Sequence, residues 1–147
     1  MTSSMVILLA HGSRDPRWRM PFEVLISNFK NSFGQEKVEL AYMEFCSPSI
    51  EEVVDKAYKS GITDLRFLPL FMAGGAHLRN DVPKIFDELQ KGRRDLRLSL
   101  LSPIGEHPLV KEALSKVVEE TLSSPHLYAV PELGEDSEMI SISQSSS

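Results

Sequence analysis

The stretch LLAHGSRDPRW, Leu8–Trp18, changes character at its middle. An apolar run from Met5 to Ala10 stops at His11, and the loop beyond it carries Arg14, Arg17 and Arg19 together with Asp15 and the only tryptophan. A short apolar run bounded by a glycine-containing polar loop reads as a buried strand. Beyond the loop, Pro21 can be the first helical residue before the apolar stripe Phe22, Leu25, Ile26 and Phe29. The same succession recurs three more times, with strands expected at Val38–Met43, Leu65–Phe71 and Leu96–Leu101. Ser47 and Pro48 suit a cap and first turn, with Ser49 and Glu52 at capping-box spacing. Asn80 or Asp81 can cap a helix running to Leu89, and His107 with Pro108 opens one reaching about Leu122. Gly34, Gly61 and Gly92 stand where helices should stop.

Strand then helix, four times over, predicts an α/β fold: one three-layer domain over residues 1–122 with a four-stranded parallel sheet, because right-handed crossovers cover both sheet faces. The usual small doubly wound order, 2-1-3-4, is the flavodoxin-like one. After Leu122, proline, serine and acid replace the apolar period, so residues 123–147 are expected to form a flexible tail. All four strand-to-helix loops, HGSRDPRWR, EFCSPS, MAGGAHLRND and SPIGEHP, then lie at the carboxyl edge of the sheet, where open α/β proteins bind ligands. In that order the first and third strands are neighbours, so His11 and His77 face each other across the crevice.

Composition narrows the function classes. The chain has 147 residues, 41% of them hydrophobic, and a formal charge of -5. Glu132, Glu135, Asp136 and Glu138 take four of the 21 acidic residues, and no Lys or Arg follows Val130, so the body keeps 17 acidic against 16 basic. Such a body lacks the net basic face of a nucleic-acid binder. One cysteine, Cys46, suits a reducing compartment and excludes a cysteine-pair zinc site. The longest apolar run, Met5–Ala10, is too short for a membrane span, and Met1–Ser4 lacks the positive start of a secretory signal, so the expectation is a cytoplasmic protein.

His11 ends an apolar strand and precedes Gly12, which lets backbone and ligand approach closely; it reads either as a metal or proton acceptor or as a cap of the next turn. His77 follows the glycine pair Gly74 and Gly75 and precedes a helix start, a setting that favours negative groups; a solvent-exposed turn is the bland alternative. Two imidazoles cannot close a structural zinc site, but they can hold a cation with positions left open. Glu44 adds a carboxylate at the end of the second strand, or is a solvated loop acid. Cys46 is a further ligand or a packed thiol. Arg14, Arg17, Arg19 and Arg79 around the histidines suit a polyanionic ligand through paired hydrogen bonds. HGS reverses the arginine-histidine-glycine phosphatase order, and no phosphate-binding or dinucleotide glycine fingerprint occurs.

LLAHGSRDPRW together with PLFMAGGAHLRNDVP closely resembles the short sirohydrochlorin chelatases of the CbiX and SirB family. The resemblance continues through MEFCSPSIEEVV and LLSPIGEHPLV, covering about Met5–Leu122. It implies a class II chelatase that inserts Co2+, with Fe2+ or Ni2+ as alternatives, into a sirohydrochlorin-type tetrapyrrole without ATP or an organic cofactor, working as a homodimer. Cobalt supply to corrinoids, siroheme ferrochelation and a non-catalytic metal or tetrapyrrole carrier are the competing roles. The resemblance makes His11 and His77 the metal ligands and, with Glu44, the catalytic proton acceptors. Read from the arginine rim and the glycine-rich loop themselves, Ser13, Arg14, Arg17, Gly74, Gly75 and Arg79 are the expected substrate contacts. FCSPS stands where relatives often carry an acid before the proline.

Overall fold

The computed structural model describes residues 3–124. Two compact units make up the chain, Met1–Glu106 and His107–Ser147. In the first, strands β1 (Ser3–Ala10), β2 (Val38–Tyr42), β3 (Ile62–Pro69) and β4 (Arg97–Leu100) alternate with helices α1 (Pro16–Phe33), α2 (Ile50–Lys59) and α3 (Val82–Gln90). Every pairing is parallel and the order is β2-β1-β3-β4, as the alternation of elements predicts.

The unbroken apolar run of β1 is explained by burial on both faces, which parallel sheets impose. Ile7 and Leu9 point to one side, where Leu65, Phe67, Val53, Val54, Val82 and Phe86 complete a core beneath α2 and α3. Leu8 and Ala10 point to the other, against Leu40, Tyr42 and Ile26 under α1. The result is a three-layer α/β sandwich with its loops gathered at the carboxyl edge.

Three helix starts differ from expectation. α1 begins at Pro16, not Pro21, because Asp15 is the cap: its carboxylate accepts from the Arg17 N–H at 2.9 Å. Pro21 lies inside the helix and removes one hydrogen bond of the second turn. α2 begins at Ile50 rather than at Ser47 and Pro48, with Ser49 as cap; Ser49 Oγ accepts from Glu52 N–H at 3.1 Å and Glu52 Oε1 accepts from Ser49 N–H at 3.3 Å. Neither Asn80 nor Asp81 caps α3. A π-helical turn, His77–Asp81, runs directly into it, and Asp81 makes no capping bond.

The second unit is described by α4 (Pro108–Ser123), opened by His107, whose Nδ1 accepts from Leu109 N–H at 3.1 Å. Ser123 is its last residue and Ser124 its cap; the remainder of the expected tail, His126 included, lies outside the described residues. No helix among the described residues is long and apolar enough to cross a membrane.

Candidate functional site

The β1–β2 ladder does not end with the strands. Met43 N–H donates to Ala10 O at 2.9 Å and Glu44 N–H to His11 O at 3.1 Å. Gly12, at φ 107°, presses on the second loop so closely that a Cβ there would lie 1.8 Å from Glu44 O. His11 and Glu44 are therefore locked side by side, with Nε2 3.4 Å from Oε1 and side chains 52% and 39% exposed. His11 Nδ1 lies 3.3 Å from the Gly12 carbonyl oxygen, so both ring nitrogens have an oxygen neighbour. The ring meets Phe71 edge-on at 6.4 Å.

β3 delivers the other imidazole. Leu70 N–H donates to Leu9 O at 2.9 Å, continuing the β1–β3 ladder, and Gly105 N–H reaches Phe71 O at 3.0 Å. A Cβ on Gly105 would sit 2.4 Å from the Met72 backbone, so the loop after β4 clamps the loop after β3. The π-helical turn then sets His77 and Asp81 on one face, where His77 Nδ1 pairs with Asp81 Oδ2. His11, Met43, Phe71, Gly75, His77 and Leu78 line one open cleft of ≈ 210 Å³. A larger cavity of ≈ 510 Å³ is lined by Val6, Leu8, Phe29, Leu68 and their neighbours and includes no carboxyl-edge loop.

The structure thus brings His11, Glu44, His77 and Gly75 to one place. Other residues expected in the site do local work. Ser13 Oγ accepts from Asp15 N–H at 3.1 Å, stiffening the turn. Arg17 closes on the Asp15 carboxylate through Nε at 3.3 Å and Nη2 at 3.2 Å, and this bond holds the carboxyl below its usual pKa. Arg19 reaches the Ser13 carbonyl at 3.4 Å. Arg14 lies over the Phe45 ring, 4.9 Å from its centre. Arg79, exposed, has no carboxylate partner among the described residues, and Gly74 packs near Pro103. Cys46 turns its thiol toward the Glu44 carbonyl, Sγ to O 3.7 Å, so it points into its own loop. Asp81, Phe71, Met43 and Leu78 belong to the site although sequence reasoning passed them over. The H-x-x-x-D spacing of His77 and Asp81 was the available signal, since residues four apart share a helical face. Among the described residues no three His, Cys, Asp or Glu side chains gather as a metal-ligand group.

The CbiX family profile matches residues 5–121. The chain belongs to the CbiX family. A sirohydrochlorin cobaltochelatase from Methanopyrus kandleri is 38% identical over 80 residues, 54% of this chain and 56% of the relative. Another, from Sulfurisphaera tokodaii, is 30% identical over 119 residues, 81% of this chain and 94% of that one. The chloroplastic sirohydrochlorin ferrochelatase of Arabidopsis thaliana is 26% identical over 118 residues, and this CbiX chain spans only 52% of its length. Among solved structures, a CbiX protein from Marinobacter aquaeolei VT8 superposes with a TM-score of 0.73 at 38% identity, covering 83% of this chain and 97% of that one.

Proposed function

We propose that this CbiX protein is a class II tetrapyrrole metal chelatase that inserts a divalent cation into sirohydrochlorin without ATP, with Co2+ as its metal. The observation that carries the reading is the shared cleft of His11 and His77, each imidazole backed by its own carboxylate. Insertion removes two pyrrole protons from the macrocycle while the cation exchanges water for four ring nitrogens. In our reading His11 and His77 hold the cation through two bonds, few enough to release it to the ring. Glu44 and Asp81 orient the imidazoles, and Glu44 shares the proton-accepting role. Arg14, Arg79 and the loops carrying Ser13, Arg17, Gly74 and Gly75 receive the acidic rim of the macrocycle. A cytoplasmic setting and a homodimer belong to the same proposal.

The cobaltochelatase names of the Methanopyrus and Sulfurisphaera relatives favour Co2+. The ferrochelatase name of the plant relative supports Fe2+ as the second reading, since imidazole and carboxylate donors discriminate poorly between the two ions. The test is anaerobic absorbance of sirohydrochlorin with Co2+, Fe2+ or Ni2+, comparing wild type with His11→Ala and His77→Ala. Both variants are expected to lose about 10²- to 10⁴-fold in rate, the range for a lost proton acceptor, with little loss of macrocycle binding. Rates unchanged in both reject the assigned roles. Binding without insertion by the wild type makes the protein a carrier.

A further inference from the structure

Phe45 follows Glu44 in the loop that touches the imidazole cleft, yet it makes no core contact. Its backbone sits at φ 71°, the only non-glycine residue with positive φ among the described residues, and the residue is 53% exposed. A bulky residue rarely adopts this conformation, and an exposed phenyl ring gains nothing from burial there. The ring is not idle, because the Arg14 guanidinium rests over it at 4.9 Å. Arg14 comes from the His11 loop, which the Gly12–Glu44 contact holds against the Phe45 loop. Sheet order puts a second exposed apolar residue, Met72 at 60%, on the loop at the other side of His11.

We propose that Phe45, with Arg14 against its ring, is a shelf that takes the flat conjugated face of the macrocycle beside the His11–Glu44 pair. This rests on the reading of the cleft as a tetrapyrrole site. Planar conjugated rings stack on phenyl faces, and a cation at the same spot pairs with peripheral carboxylates. The residue stays 53% exposed at this left-handed backbone position, in reach of a ligand. Phe45 is thus a substrate-positioning residue, set apart from the groups that handle the cation.

Phe45→Gly separates this role from folding, since glycine adopts φ 71° freely. Full-length wild type, Phe45→Gly, Phe45→Leu and Phe45→Tyr are titrated anaerobically with sirohydrochlorin alone, then assayed for Co2+ insertion. Phe45→Gly is expected to keep or raise the thermal midpoint, weaken Kd and KM about tenfold, as loss of one aromatic stack implies, and leave kcat within about twofold. Tyrosine restores affinity and leucine restores it only in part. Wild-type Kd and KM in Phe45→Gly, or a fall in kcat alone, overturn the shelf while insertion stands. Equal affinity of the leucine and tyrosine variants overturns it as well, even where the glycine variant is unstable. A wild type that neither binds nor metallates the macrocycle overturns the tetrapyrrole reading, and the shelf with it.

Discussion

Gly12 shows how much a single hydrogen in place of a side chain can hold. At φ 107° and with Glu44 O filling the space of its missing Cβ, it is the hinge pin between the first two loops. Gly12→Ala meets both a left-handed backbone and a main-chain clash. We expect a loss of ~2 kcal/mol or more, read as a shift of the urea midpoint, together with a fall in insertion rate as His11 and Glu44 part. An unchanged midpoint would mean that the two loops separate freely. His11 and Glu44 were legible because each stands where an apolar run gives way to a polar loop, and His77 because it follows a glycine pair at a helix start; the fold brings these loops together. Phe45 was not, since its left-handed backbone angle is announced by no pattern. Ser13 and Arg17 also close the turn on Asp15, since short polar side chains and nearby charges satisfy local backbone and carboxylate groups.

Helix starts show the same competition between local signals. Asp15-Pro16 and Ser47-Pro48 both resemble a cap followed by a first turn, but the first opens a helix and the second does not, because Ser49 and Glu52 satisfy each other two residues on. Ser47 adds a third bond, its Oγ donating to Glu52 Oε2 at 2.8 Å. This hydroxyl, then the Ser49 N–H, lowers the Glu52 pKa from its ordinary value. A carboxyl lowered on folding stabilises the native state above its unfolded pKa of about 4.3, and that contribution fades as pH falls through the lower folded value. Between pH 6 and pH 3, about the window of that titration, wild type should lose more of its urea midpoint than Glu52→Gln, which has no proton to gain. Equal losses would remove Glu52 from the acid response. The turn before α3 was illegible for a related reason: Asp81 has the chemistry of a cap, but its carboxylate is already engaged by His77.

For the whole molecule, topology was the most legible property, since parallel strands with right-handed crossovers leave few arrangements for four strand-helix units. Its functional consequence concerns size. A cleft of ≈ 210 Å³ is below the ~300–1,000 Å³ of sites that enclose a drug-sized ligand, so one protomer offers the macrocycle a lip and not a chamber. A two-fold partner would supply the facing wall. Light scattering at assay concentrations should therefore give twice the protomer mass, with specific activity falling on dilution as the dimer separates. A protomer mass with full activity at every dilution would remove the second wall. His11 and His77 also lie in different halves of the chain, joined along the β1–β3 seam from Ser3–Ile62 to Leu9–Pro69 and through the core that α2 shares with β3 and α3. Cutting the backbone between Ser60 and Gly61 would leave His11 in one fragment and His77 in the other, each with one side of that seam. The shared cleft of His11 and His77 would then form only where the fragments reunite, so its assembly would report their association.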